Sequence, residues 1–130
     1  MRIFIFFLFL SSVTFSQNKV EDSYKRGQML YDDFCVRCHL PDGTGEHGLI
    51  PPLANADFLE DIQATVHSIK FGIHGPITVN GVQYNNTMTP MGLDNDEIAD
   101  VTNYILNSWG NTTDVIVTEA YVQGVNETKW

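Results

Sequence analysis

The sequence contains Cys35-Val36-Arg37-Cys38-His39, which has the pattern C-x-x-C-H. This pattern is the attachment site of a c-type haem. Two thiols at this spacing can each add to one of the two vinyl groups of a haem, and the histidine that follows is then held under the iron. Because both thioether bonds are covalent, the haem does not dissociate. The motif predicts one covalent haem c, with its iron, at Cys35, Cys38 and His39.

Three other kinds of site use closely spaced cysteines. A structural zinc site needs four Cys or His ligands at matching spacing, and Cys35 and Cys38 are the only cysteines of the chain. A thioredoxin-like redox pair accompanies a βαβ pattern, which this sequence lacks. A disulfide between the two cysteines would leave His39 without a role. The motif therefore favours haem over all three.

The first 16 residues have the pattern of a secretory signal peptide. Met1-Arg2 is positively charged, residues 3–10 are apolar throughout, and Thr14 and Ser16 are small residues before a cleavage point. A retained membrane anchor is the alternative, but a spanning helix needs roughly 20 apolar residues. We therefore expect residues 1–16 to be removed, with residues 17–130 in the periplasm or otherwise exported and not inserted in a membrane.

The chain is acidic, with a formal net charge of −9 that becomes −10 when Arg2 is removed with the signal. Nucleic acid is excluded as a partner, because its phosphates would repel this surface. We expect redox partner proteins, with a basic docking patch as the complementary surface, and a monomeric state.

Apolar periodicity predicts a first helix over residues 22–34, in which Gly27, Leu30, Tyr31 and Phe34 share one face. After a loop rich in Gly and Pro, a second helix is predicted over about residues 57–71. Its apolar stripe consists of Leu59, Ile62, Val66 and Ile69.

Two further elements have strong local signals. Asn80-Gly81 predicts a β-hairpin between short strands near 77–84. Asp94 and Glu97 predict a capping box at the start of a third helix. The inner face of this helix consists of Ile98, Val101, Tyr104 and Ile105, and Gly110 ends it. A last short helix can start at Thr118-Glu119.

A second axial ligand opposite His39 has to be Met or His. Met29 is too close to the motif to reach the other haem face, whereas Met88 and Met91 lie in a loop that can cross it.

The other histidines are weaker candidates for that position. We expect His47 to stay on the side of the attachment loop, His67 to be exposed on the face opposite the apolar stripe, and His74 to lie beside a haem propionate. From the residues alone, Met88 and Met91 both remain candidates for the second axial ligand.

These elements resemble a class I cytochrome c over residues 22–110. The shared pieces are Gly27 with Tyr31, the C-x-x-C-H motif, Pro51-Pro52-Leu53, the Met loop, and a closing helix that ends in Ser-Trp-Gly-Asn. The stretches 75–81, 88–93 and 107–111 are similar to the small cytochrome domains associated with quinoprotein alcohol dehydrogenases, copper nitrite reductases and haem–copper oxidases.

The resemblance implies an all-α class I cytochrome c fold, with three core helices around one covalent haem and a short β-hairpin. It divides residues 17–130 into a core, 22–110, and a C-terminal extension, 111–130. It also implies that Gly27 lets the first helix cross the third beside Tyr104.

For the haem site, the resemblance implies that the Pro51 carbonyl accepts a hydrogen bond from His39 and that Leu53 belongs to the haem-binding set. The axial methionine maps to Met88. The family usually has Met-Pro where this chain has Met-Thr-Pro, and the inserted Thr89 keeps Met91 as an alternative.

The implied function is that of a soluble exported one-electron carrier rather than an enzyme, since no residue pattern suggests a catalytic site beyond the haem. One alternative is a five-coordinate haem protein that binds peroxide or a diatomic gas. Another is a dedicated electron-transfer subunit of a larger oxidoreductase complex.

Overall fold

The computed structural model describes residues 19–127, so the predicted signal peptide lies outside the described residues. Helices carry most of the fold, and a single two-stranded sheet is present within the described part. The first helix, α1, is α-helical over residues 19–30, continues through a π-helical turn at Tyr31–Cys35 and ends with an α-helical turn at Val36–His39. The largely helical fold with one short hairpin confirms the predicted fold class.

The π-helical turn changes which residues of α1 face inward. Phe34 was expected on the inner face with Tyr31, but Phe34 is 41% exposed whereas Tyr31 is fully buried. The backbone N–H of Val36 donates to the Tyr31 carbonyl, a bond that spans five residues instead of four. After the wider turn, Cys35 rather than Phe34 packs against the hydrophobic core.

The predicted helix over 57–71 is divided at Asp61. A 3₁₀ turn covers Asp57–Glu60, and helix α2 covers Ile62–Phe71. Asp61 has extended backbone angles, and its side chain accepts a hydrogen bond from the Ala64 N–H at 2.9 Å. Asp61 is therefore the N-cap of α2, although the apolar pattern predicted it inside the helix.

The predicted hairpin is confirmed. Strands β1, Pro76–Val79, and β2, Val82–Asn85, pair antiparallel, with Ile77 opposite Tyr84 and Val79 opposite Val82. Asn80 and Gly81 both have positive φ angles, as a tight two-residue turn requires.

Helix α3, Asn95–Ile105, begins with the predicted capping box, in which Glu97 Oε2 accepts a hydrogen bond from the Asp94 N–H at 2.9 Å. The helix ends before the predicted Gly110, which lies in the following turn with a φ of +91°. Helix α1 crosses α3 at Gly27. A β-carbon there would overlap the Asp100 carbonyl and lie 2.8 Å from Tyr104 Cβ, which confirms the close crossing.

The C-terminal extension is part of the hydrophobic core. Helix α4, Glu119–Gly124, follows Thr118, whose side chain accepts a hydrogen bond from the Tyr121 N–H, so the predicted start of this helix is confirmed. Val117, Val122 and Val125 are buried.

Two polar side chains of the core hold the extension in place. Asn103 bonds both the N–H and the carbonyl of Val117, at 2.8 and 2.9 Å. Lys70 Nζ donates to the carbonyls of Val122 and Val125 at 2.7 and 3.1 Å. The extension is thereby tied to both α3 and α2. Within residues 19–127, no helix combines the length and apolarity needed to cross a bilayer.

Candidate functional site

An apolar cavity lies between the end of α1, the Pro51–Leu53 segment, α2 and the hairpin. Its inner walls are mostly hydrocarbon, from residues such as Leu53, Phe58, Leu59, Ile69, Ile77 and Val79. His39 and Met88 border both this inner part and the mouth of the cavity. A space of this kind suits a large apolar group.

His39 is buried at the end of α1 and oriented by a backbone group. Its Nδ1–H donates a hydrogen bond to the Pro51 carbonyl at 3.1 Å, which leaves Nε2 as the ring nitrogen available to a metal. Burial lowers the pKa of His39, and the bond to Pro51 opposes that shift in part. The neutral imidazole, the form that binds metals, is therefore favoured.

The two cysteines of the motif lie at different depths of the same cavity. Cys35 is partly buried and borders the inner part, whereas Cys38 is exposed and borders the mouth. Burial, with a smaller contribution from Cys38, raises the pKa of the Cys35 thiol to about 11. The apolar environment of the Cys35 sulfur therefore favours a neutral thioether over the thiolate that a zinc site needs.

The Met88 backbone is fixed to the end of α2. Ile73 and Met88 exchange two backbone hydrogen bonds of 2.9 Å, in an isolated antiparallel bridge. Gly72, with a φ of +81°, permits this approach, because a β-carbon there would lie 2.5 Å from the Met88 carbonyl oxygen. The bridge brings Met88 to the cavity that His39 and Cys35 border. Met91 borders only the mouth of this cavity and not its inner part.

The segment that carries Pro51 and Leu53 is held by backbone and amide groups. The Leu53 N–H donates to the Gly43 carbonyl at 2.7 Å, and the Leu53 carbonyl accepts from Asn111 Nδ2 at 2.9 Å. Trp109 Nε1 donates to the Pro41 carbonyl at 3.0 Å. The residues after α3 therefore fix the loop that orients His39.

The remaining histidines do not border the cavity. His47 and His74 are exposed. The expectation that His67 is exposed is wrong, because only 8% of it is accessible. Its Nε2 lies 3.3 Å from the Glu127 carbonyl oxygen, and its ring packs 5.0 Å from that of Phe71. The C-terminal extension covers this face of α2, and no pattern in the sequence signals that contact.

Ile73 and Tyr84 are among the cavity residues that the sequence did not predict. No sequence pattern indicated Ile73, because it supports the site through backbone hydrogen bonds to Met88. Tyr84 could have been found, since the alternation of the hairpin places it on the same face as Ile77 and Val79.

The donor set and the cavity fit a covalent haem. Two cysteines border one side of an apolar space, and an imidazole nitrogen and a thioether sulfur border the same space. Within residues 19–127 there is no group of three or more His, Cys, Asp or Glu side chains that could hold a metal ion by themselves.

Comparison with known proteins identifies the family. The cytochrome c family model matches residues 24–109. Cytochrome c-552 from Thermus thermophilus is 36% identical over 87 residues, which are 62% of this chain and 66% of that protein.

Two longer relatives are subunits of dehydrogenases by name. The gluconate 2-dehydrogenase cytochrome c subunit of Pantoea cypripedii is 32% identical over 102 residues, 75% of this chain and 23% of that protein. The cytochrome c subunit of a quinone alcohol dehydrogenase from Gluconobacter oxydans is 30% identical over 106 residues, 78% of this chain and 22% of that protein. The chain thus spans about two thirds of the bacterial c-552 and less than a quarter of these subunits. It belongs to the cytochrome c family, as a class I c-type cytochrome with covalently attached haem c.

Proposed function

We propose that this protein is a soluble, exported monohaem cytochrome that carries one electron at a time between redox enzymes. When bound, the haem supplies the one-electron couple between ferric and ferrous iron. The observation that carries the proposal is that His39 and Met88 border one apolar cavity, so the chain offers two side chains that could bind the iron of a haem there. An iron bound by both side chains would have no open position for a substrate, which favours a carrier over a catalyst.

Each residue of the site has a defined role in this proposal. Cys35 and Cys38 would hold the haem by thioether bonds, and His39 through Nε2 and Met88 through sulfur would bind its iron. The Pro51 carbonyl fixes the orientation of the imidazole and makes it a stronger donor. Leu53 packs within the cavity.

The proposed domain organisation follows the sequence. Residues 1–16 are a signal peptide, and residues 17–130 are the exported domain, with a core over 22–110 and an extension over 111–130. The intact mass of protein recovered from the periplasm tests this directly. A mass that corresponds to residues 17–130 plus one haem supports it, and a retained residue 1 contradicts it.

Acid–acetone extraction tests the attachment. The denatured wild-type protein should keep its haem colour, because thioether bonds survive extraction. The double variant Cys35→Ala/Cys38→Ala should lose the colour to the solvent. Extraction of haem from the wild type would overturn the assignment of these cysteines.

A role as a dedicated subunit is the second candidate, and it is favoured by two relatives that are named as dehydrogenase subunits. In that case the protein should co-purify with a larger redox enzyme at physiological ionic strength. A free carrier should instead elute as a monomer and exchange electrons with partners that carry a basic docking patch.

A further inference from the structure

Tyr84 lies on β2 opposite Ile77 and borders the mouth of the cavity together with Cys38 and Met88. Its side chain is only 3% exposed. Within residues 19–127 its hydroxyl group has no hydrogen-bond partner, although buried tyrosine hydroxyls usually have one. No fully enclosed side-chain oxygen or nitrogen of the described chain lacks a partner. The Tyr84 oxygen is therefore not sealed in protein, and the cavity is the space that the residue borders.

The two hydroxyls of the inner wall are already used, and Thr87 and Thr89, which carry the other hydroxyls of the mouth, are exposed. Thr65 Oγ1 donates to the Asp61 carbonyl at 3.0 Å, and Ser68 Oγ donates to the Ala64 carbonyl at 2.8 Å. Among the described residues, no Lys or Arg borders the cavity. Tyr84 is thus the buried donor of this site that still needs an acceptor.

A haem offers few acceptors to such a donor. Its periphery is hydrocarbon apart from two propionate carboxylates, and the remaining acceptor nearby is the sulfur of Met88, four residues along the chain. A thioether sulfur is a weak acceptor, whereas a hydrogen bond to a carboxylate is charge-assisted and stronger.

We propose that the Tyr84 hydroxyl donates a hydrogen bond to a propionate of the haem and so helps to position it at the mouth of the cavity. The proposal rests on the assignment of this cavity to haem. Because β2 is paired with β1, the donor is carried on a rigid element, and the hairpin becomes part of the haem-binding structure.

Resonance Raman spectroscopy of the holoprotein tests the proposal with Tyr84→Phe and, as a matched control, the exposed Tyr121→Phe. Phenylalanine keeps the ring and removes only the hydroxyl, so the packing of the site is preserved. The propionate bending band should move to lower frequency in Tyr84→Phe and stay unchanged in Tyr121→Phe. The iron–sulfur charge-transfer band of the oxidised form should stay unchanged in both.

An unchanged propionate band in Tyr84→Phe overturns the proposal. A shift of the charge-transfer band alone also overturns it, because the acceptor is then the Met88 sulfur. Proton NMR of the reduced wild-type protein gives a test that needs no variant: the Tyr84 hydroxyl proton should exchange slowly and show a contact to a propionate methylene, and the absence of that contact contradicts the proposal. The assignment of the cavity to haem is tested separately by extraction.

Discussion

Ile73 and Met88 exchange two backbone hydrogen bonds of 2.9 Å each, so Ile73, just after α2, fixes the backbone position of the proposed axial methionine. His39 borders the same cavity, and its orientation is set by the Pro51 carbonyl. Each proposed axial ligand is therefore held by backbone groups of a different segment.

Met88→Ala should remove the weak long-wavelength iron–sulfur charge-transfer band of the oxidised protein and lower the reduction potential. Methionine ligation raises the reduction potential of a haem iron, so loss of the methionine should lower it. Met91→Ala is the matched control and should leave both properties nearly unchanged, because Met91 borders only the mouth of the cavity. Optical spectroscopy and a redox titration check this, and the reverse pattern would transfer the assignment to Met91.

Gly72→Ala should weaken the iron–sulfur band as well as the fold. Gly72 has a φ of +81°, and its new β-carbon would lie 2.5 Å from the Met88 carbonyl oxygen, so the bridge has to shift. Gly92→Ala is the control, because Gly92 has a similar φ of +75° but nothing within 4 Å of the added carbon.

Both substitutions carry the left-handed backbone cost of about 1–2 kcal/mol, measurable by chemical unfolding. Only Gly72→Ala should change the absorption band. An equal effect of the two variants on that band would show that the bridge does not position Met88.

Lys70→Met should detach the C-terminal extension locally. The Lys70 ammonium group bonds the carbonyls of Val122 and Val125, and loss of these charge-assisted bonds should cost about 1–3 kcal/mol of unfolding free energy. Hydrogen exchange of the backbone amides in 119–125 should accelerate. Lys25→Met removes an exposed ion pair with Glu21 and should change little. Unchanged exchange in the first variant would contradict the role of Lys70.

Electron transfer to a partner with a basic docking patch should slow steeply as salt is added. The chain has a formal net charge of −9, and the Debye length falls from about 10 Å at 0.1 M salt to about 3 Å at 1 M. The slower electron transfer should result mainly from a lower association rate, which stopped-flow kinetics can measure. A rate that does not depend on ionic strength would point instead to docking by apolar contacts.

Local signals predicted the fold well because their physical causes are local. The capping box at Asp94 and the hairpin turn at Asn80-Gly81 involve neighbours in sequence, and both are confirmed. The π-helical turn that exposes Phe34 and the burial of His67 were not predicted. The π-helical turn adds one residue to the regular helical repeat. The burial of His67 depends on a contact with the C-terminal extension, 60 residues away.

The candidate site was predicted from the motif and the resemblance rather than from periodicity. Cys35, His39, Pro51, Leu53 and Met88 all border one cavity. Their roles toward the haem stay predictions until the variants are measured. The bridge at Ile73 could not be predicted, because an isolated pair of backbone bonds leaves no side-chain pattern in the sequence.

The optical spectrum of the reduced protein with and without carbon monoxide shows whether protein ligands occupy both axial positions of the iron. We predict a low-spin spectrum that carbon monoxide leaves unchanged in the wild type, and rapid carbon monoxide binding once Met88 is replaced by Ala. Rapid binding by the wild type would contradict a six-coordinate electron carrier and indicate a five-coordinate haem that binds peroxide or a diatomic gas.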